Sequence, residues 1–383
     1  MDPNTTRILM AAGGKRPAPV PWDNVGNAGY YMMVPYTVAS TYKILVVNTQ
    51  NFTVEKIIDC DYFNKTRFYR FGSNILQTQY GNTFYKIYSI QTGAIVSEGN
   101  FPGPIYADEL KFASDKLLRL GWTTSGQPEA VAYTFTVDDL GVTQITSATT
   151  TSMGNYNSFY GMINNPVIAG QANISNSTGL LTSMGTIGTK APYDNSSSAA
   201  GARGTMTVNS SGTTITFNGS SSDNSNYSRP IAATGSNGYC LISGIDGYDT
   251  RVFSGTADGG FGNVTSQPPA TNFSPAAVLN SNSYSQWLAV RQVYVSGSWV
   301  HKVSSIQASL INDYFTLQNT SGAIVQSVIG GAAVAYVENG DIRIAKYDVY
   351  FGLGAANIVT SVPGVVLANS VNPSYGVTKV INY

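Results

Sequence analysis

The feature that most constrains this chain is a hairpin that keeps returning. From Ile75 the sequence runs ILQTQ-YGN-TFYKIYSI, from Leu288 it runs LAVRQVYV-SGS-WVHKVSSI, and from Ala333 it runs AVAYVE-NGD-IRIAKYDVY. Each is a stretch of β-branched and aromatic residues, a short Gly-containing turn, and a second such stretch. Gly or Asn at the turn supplies the positive φ that a tight hairpin needs. Weaker copies stand at Ala39-Ser40-Thr41, Ser125-Gly126-Gln127, Ser177-Thr178-Gly179 and Asp246-Gly247-Tyr248. The turn positions 40, 81, 126, 179, 247, 297 and 340 are separated by 50 residues on average, the shortest intervals being 41, 43 and 45. Second turns follow some of them, at Gln91-Thr92-Gly93, Asp139-Leu140-Gly141 and Gly352-Leu353-Gly354.

Units of about 40 to 50 residues with four short strands each are the signature of a β-propeller. Helical periodicity is nearly absent. The stretch Asp108–Arg119 has helix-forming residues, yet its surroundings predict a strand, a turn at Ser114-Asp115 and a second strand. The expectation is therefore an all-β chain folded as a β-propeller over residues 30–383, with seven blades indicated and six or eight as the alternatives, and with the end segments Thr5–Ala12 and Ser374–Asn382 as closing strands. Tandem β-sandwiches are the alternative, but they do not require near-equal spacing of whole four-strand units. The longest interval holds a low-complexity insertion, Tyr193–Arg229, in which only Met206–Phe217 reads as a hairpin.

Composition narrows the function. Charged residues are 11% of the chain, against about 25% in an ordinary soluble domain, and 21 basic residues balance 21 acidic ones. With 43% hydrophobic residues the chain has a core, not the composition of a disordered protein; without a basic excess it has no footprint for bulk nucleic-acid binding. No apolar run reaches the roughly 18 residues of a membrane-spanning helix; Val328–Val337 is interrupted by Gly330 and Gly331 and fits a buried strand. The opening residues lack the pattern of an export signal. Low charge removes repulsion between neighbouring copies, which suits a stable assembly; the same composition equally fits a secreted β protein with a hydroxyl-rich surface.

The catalytic inventory is thin. His301 is the sole imidazole, mid-strand in Trp299-Val-His-Lys-Val303, and reads as packed; with two distant cysteines, Cys60 and Cys240, it makes no zinc set. The cysteines read as two free core thiols. Carboxylates on turns (Asp108, Glu109, Asp246, Asp249, Asp258, Asp313) show no spacing that selects an acid and a base for glycoside hydrolysis. Asp258-Gly-Gly-Phe-Gly-Asn263 reads as a tight turn in preference to a calcium loop. The expectation is no enzyme, no metal and no cofactor. A sugar-contacting surface is the open alternative, with Tyr156, Phe159 and Tyr160 in the aromatic–amide cluster Asn155–Tyr160 as its candidate residues. That reading corresponds to a carbohydrate-binding or glycan-cleaving propeller.

Residues 1–29 are too rich in Pro and Gly to fold alone. Pro17, Pro19 and Pro21 favour an extended arm, and Ile8, Leu9, Met10 and Trp22 are the apolar groups it offers to a partner. The first fourteen residues, Met1-Asp-Pro-Asn-Thr-Thr-Arg-Ile-Leu-Met-Ala-Ala-Gly-Gly14, resemble the opening of tailed-bacteriophage virion proteins of the tail or fibre type. The segment Lys15–Trp22 departs from that pattern. The resemblance implies a virion structural protein made in the host bacterial cytoplasm. The apolar groups of the arm predict docking onto other virion proteins, a host surface glycan is the candidate outer partner, and the charge balance and apolar runs predict neither nucleic-acid binding nor membrane insertion.

Overall fold

The computed structural model describes residues 31–61, 66–79, 81–113, 115–122, 128–137, 143–150, 173–175, 180–189, 199–208, 215–234, 239–245, 249–255, 261–263, 277–280, 286–306, 311–317, 323–328, 331–348, 356–367 and 379–381. The assembly arm with Ile8, Leu9, Met10 and Trp22 lies outside them, as do Thr5–Ala12 and the candidate glycan residues Tyr156, Phe159 and Tyr160.

Among the described residues every regular element is a strand, and strands adjacent in sequence within a sheet pair antiparallel. The first sheet contains β1 (Tyr31–Val38), β2 (Thr41–Asn48) and β3 (Thr53–Asp59); the second contains β4 (Thr66–Phe71), β5 (Asn74–Gln79), β6 (Phe84–Ser89) and β7 (Ile95–Asn100). The third is β8 (Tyr106–Ala113), β9 (Lys116–Trp122), β10 (Pro128–Val137) and β11 (Thr143–Thr150). Asp108–Arg119 thus folds as the expected pair of strands. A fourth, seven-stranded sheet follows: β12 (Asn173–Ser175), β13 (Leu180–Thr189), β14 (Ala199–Val208), β15 (Ile215–Thr234), β16 (Tyr239–Ile245), β17 (Asp249–Gly255) and β18 (Phe261–Asn263). The fifth is β19 (Ala277–Asn280), β20 (Gln286–Val295), β21 (Ser298–Ile306) and β22 (Ile311–Thr316); the sixth is β23 (Ile324–Val328), β24 (Gly331–Glu338), β25 (Asp341–Asp348) and β26 (Ala356–Pro363).

The recurring turns have a structural meaning. Positions 40, 81, 126, 297 and 340 all join the two middle strands of a sheet: β1–β2, β5–β6, β9–β10, β20–β21 and β24–β25. Three of them are two-residue turns with positive φ at both residues: Ala39 and Ser40, Ser296 and Gly297, Asn339 and Gly340. That backbone matches the right-handed twist of the flanking strands. Positions 179 and 247 fall in the seven-stranded sheet, between β12 and β13 and between β16 and β17. Six sheets therefore stand where the turns mark seven units, because β14 and β15 join two units through a continuous ladder. The segment expected to be a low-complexity insertion carries that ladder, with Met206 opposite Phe217 and a pairing that continues, through register shifts, to Ala199 opposite Tyr227.

Among the described side chains the first, second and third sheets share cores in succession, as do the fifth and sixth, and the last packs on the first. One core cluster joins Met32, Val34, Ile44 and Leu45 of the first sheet to Phe68, Ile75 and Tyr88 of the second and to Ile324, Ala335 and Ile344 of the sixth. A second cluster joins second and third sheets through Tyr69, Phe71, Phe101, Leu117, Tyr133 and Phe135; a third joins fifth and sixth through Leu288, Val290, Val303, Val325 and Val334. Successive antiparallel sheets, covered by their neighbours and returning on themselves, make this an all-β propeller.

Closure is made late in the chain. After β26 the chain turns at Gly364 into β27 (Val365–Val366), which pairs with Thr37 and Tyr36 of β1. Leu367 N–H donates to Pro35 C=O at 2.9 Å and Gly364 N–H to Gly340 C=O at 3.0 Å. Gly364 sits at φ +155°, and a Cβ there would stand 2.6 Å from Tyr36 Cδ2 and 3.0 Å from the Thr37 carbonyl oxygen, so no larger residue fits. Beyond Pro35 the free edge of β1 is taken by a side chain: Gln326 Oε1 accepts from Met33 N–H at 3.1 Å while its Nε2 donates to Met33 C=O, a bond across 293 residues of sequence. The segment expected to close the ring, Ser374–Asn382, does something else. Its β28 (Lys379–Ile381) adds to the second sheet, parallel to β4. A two-residue closing strand has no periodicity to read, which is why the sequence points to the longer apolar stretch instead.

Gln326 is 3% exposed, so removing its amide leaves a buried N–H and C=O without partners. Gln326→Leu is expected to lower stability by about 2–6 kcal/mol, taking about 1–3 kcal/mol for each orphaned group, seen as a fall in the urea midpoint at unchanged slope.

Candidate functional site

The densest gathering of ionisable groups among the described residues lies between the second and third sheets. Glu109 comes from β8, Arg119 from β9, and Arg67 and Thr78 from β4 and β5, where they are directly opposed. Glu109 and Arg119 also oppose one another in their hairpin. Arg119 Nε stands 3.0 Å from Glu109 Oε1, and Arg67 Nη1 stands 3.7 Å from Oε2. The Thr78 hydroxyl donates to Oε2 at 2.6 Å. Arg119 Nη2 donates at 2.9 Å to the carbonyl of Asn82, in the β5–β6 turn, and its guanidinium lies 4.9 Å from the Phe101 ring. The side chains of Glu109 and Arg119 are 0% exposed and that of Arg67 5%.

This arrangement fixes what the cluster can do. A carboxylate enclosed by two guanidinium groups and a hydroxyl, with its side chain fully buried, touches no molecule arriving from solvent. It fastens one sheet to the next. Glu109, a candidate acid or base by residue type, is therefore a packing charge. Tyr133 closes the same junction, its hydroxyl donating to the Pro102 carbonyl. Burial raises the Tyr133 phenol well above its ordinary range, opposed by the nearby Arg119 cation.

The remaining candidates separate in the same way. Asp313 accepts from Lys302 Nζ at 2.9 Å and from the Ser304 hydroxyl at 2.7 Å, a cross-strand arrangement within the fifth sheet. Asp108 lies on β8 and Asp249 opens β17, while Asp246 and Asp258 fall outside the described residues. His301 is packed on β21 at 7% exposure, and its backbone carbonyl accepts from Leu317 N–H at 2.8 Å. Burial holds its imidazole below the ordinary value. Cys60 is a free thiol that burial, with Asp61 and Asp59 beside it, pushes up to about 12. It is a poor nucleophile at neutral pH, since the thiolate is the reactive form. Among the described residues no group of three or more His, Cys, Asp or Glu side chains could hold a metal ion.

Sequence reasoning does not single out Arg67, Arg119, Gln77 or Gln326. Gln77 repeats the theme: its amide donates to the Asp61 carbonyl on the link between first and second sheets and accepts from the Tyr88 hydroxyl at 2.8 Å. The junctions of sixth with first, first with second and second with third sheet each have such a polar latch. The signal in the sequence is a long polar side chain inside a strand that both neighbours cover.

No known protein family matches the chain, and no curated protein does. Solved structures do. A Bacteroides fragilis protein provisionally assigned as a 6-phosphogluconolactonase aligns at 11% identity over 88% of this chain and 96% of its own, with a TM-score of 0.49. The periplasmic gluconolactonase PpgL of Pseudomonas aeruginosa aligns at 9% identity over 88% and 97%, with a TM-score of 0.48. The β-propeller domain of Cps50 (Swd1) from Myceliophteria thermophila aligns at 11% identity over 86% and 97%, with a TM-score of 0.42. All three scores fall below 0.5, and the activities of these proteins are not carried over to this chain.

Two measurements check these packing roles. Glu109→Leu leaves two buried guanidinium groups facing one another and is expected to cost about 3–5 kcal/mol, as breaking a buried ion pair from one side does, read from urea unfolding. His301 supplies a pH signature. Its folded pKa lies below its unfolded value of about 6.5, so the unfolded chain takes up the proton first and stability rises with pH in that window. The contribution is complete above the unfolded value and is lost as pH falls through about 6.5 towards the folded pKa; in His301→Gln that part of the slope should vanish.

Proposed function

We propose that this chain is a structural part of a tailed-bacteriophage virion: a β-propeller of the tail or fibre apparatus that builds the particle and faces the host cell surface, without catalysing a reaction. The observation that carries the reading is the fate of the reactive groups. Glu109 is enclosed by Arg67, Arg119 and Thr78, His301 is packed in its sheet, and Cys60 is held as a thiol. Among these described groups, Glu109 fastens one sheet to the next, and His301 and Cys60 are drawn away from solvent.

Composition supports the same reading. With 11% charged residues and a net charge of zero, copies meet little mutual repulsion, and several of the charges present are drawn into the interior. The N-terminal resemblance to virion proteins adds the context of a particle, in which residues 1–29 join the propeller to other virion proteins through Ile8, Leu9, Met10 and Trp22.

Deletion of residues 2–22 tests the proposal. The shortened chain should keep the β-sheet circular dichroism and unfolding midpoint of the full chain, yet be missing from purified particles when supplied in place of it. Incorporation at the full-length level would overturn the role of the arm, and absence of the full chain itself from particles would overturn the virion reading.

A further inference from the structure

The second sheet differs from its four-stranded neighbours by one strand that closure does not require. The ring is closed by β27 on β1, with Gln326 completing the edge. The fifth strand of the second sheet, β28, is added on the far side of β4 from β5, in register Lys379 with Arg67, Val380 with Phe68 and Ile381 with Tyr69. It also lies against β23, the first strand of the sixth sheet. β28 thus bridges the first-strand edges of the second and sixth sheets.

Two properties mark this edge as a slot for an exchangeable strand. The pairing is parallel and only three residues long, whereas neighbouring antiparallel ladders in the same sheet run over five or six. Twelve residues, 367–378, separate β27 from β28, a reach of up to about 40 Å at full extension. Every backbone contact that the strand makes in its own ring it would make equally in a neighbouring one, so the choice between them is one of effective concentration.

We infer that the inner edge of β4 is an acceptor slot for the strand around Lys379–Ile381 of a second copy of this chain. In dilute solution the chain's own strand fills the slot. Where copies stand side by side, a neighbour's strand replaces it and links the rings. The recognition is β-strand addition, in which the main chain supplies affinity and alternate side chains supply register.

The test uses a fluorescent peptide with the sequence of residues 374–383 (SYGVTKVINY) and anisotropy as the readout. A chain ending at Leu367 should keep its sheet content and bind the peptide at least tenfold more tightly than the full chain, whose own strand competes. A peptide with Val380→Pro and Ile381→Pro should not bind. The same double substitution in the full chain frees the slot without shortening it, and that variant should also bind the unsubstituted peptide at least tenfold more tightly than the full chain. Equal binding by the full chain and both slot-free chains, or none by any of them, overturns the inference. So does loss of folding in the shortened chain, because closure would then depend on β28.

Discussion

Everything in this molecule depends on joining the first sheet to the last. A stack of twisted sheets leaves two uncovered apolar faces unless its ends meet, and at roughly 25 cal/mol per Å² of buried apolar surface those faces are too costly to leave in water. Here Met32, Val34 and Leu45 belong to the first sheet and Ile324, Ala335 and Ile344 to the last, yet they form one core. The union is completed by few groups: a two-residue strand, a glycine against Tyr36, and the amide of Gln326 on Met33. Small contacts suffice because each merely fixes the register of two large faces that the hydrophobic effect brings together.

The treatment of charge follows from that geometry. When both faces of a sheet are covered, a polar side chain in a strand has no solvent side to turn to. In β4 all six residues, Thr66 to Phe71, are buried, Arg67 and Arg70 among them. A chain that buries arginines must give them partners at the sheet junctions, and Glu109 and the Asn82 carbonyl meet that demand for Arg67 and Arg119. Such pairs add little net stability over a well-packed apolar junction, but breaking one side of them is costly. They specify which sheet sits against which.

The elements that can be read in the sequence are those governed by local rules. Asn339-Gly340 and Ser296-Gly297 announce their hairpins because positive φ is a residue-level preference, and the spacing of such turns carries the repeat and the all-β architecture. Residues 193–229 read as mostly loop because Gly, Ser, Thr and Asn give little strand signal as a group, and their pairing is a property of the ladder they join. The latches are illegible for a related reason. Thr66-Arg-Phe-Tyr-Arg-Phe71 looks like an ordinary strand with some polar positions, and nothing local reveals that both of its sides are covered. Of the candidate site residues, Glu109, Asp313 and His301 are visible as residue types, but only their three-dimensional partners assign them to packing.

The sixth sheet is made after the five others, and its place against the first has a consequence for biosynthesis. Until it leaves the ribosome, the sheets already made form an open stack whose first member shows an apolar flank to the surrounding water. Contacts spanning nearly three hundred residues, such as Gln326 on Met33, are slow to form, and partly built β assemblies are prone to stick to one another. Premature termination upstream of Ile324 would leave that flank bare for good. Translation of the sixth sheet is thus the interval in which the opening face of this polypeptide finds its cover.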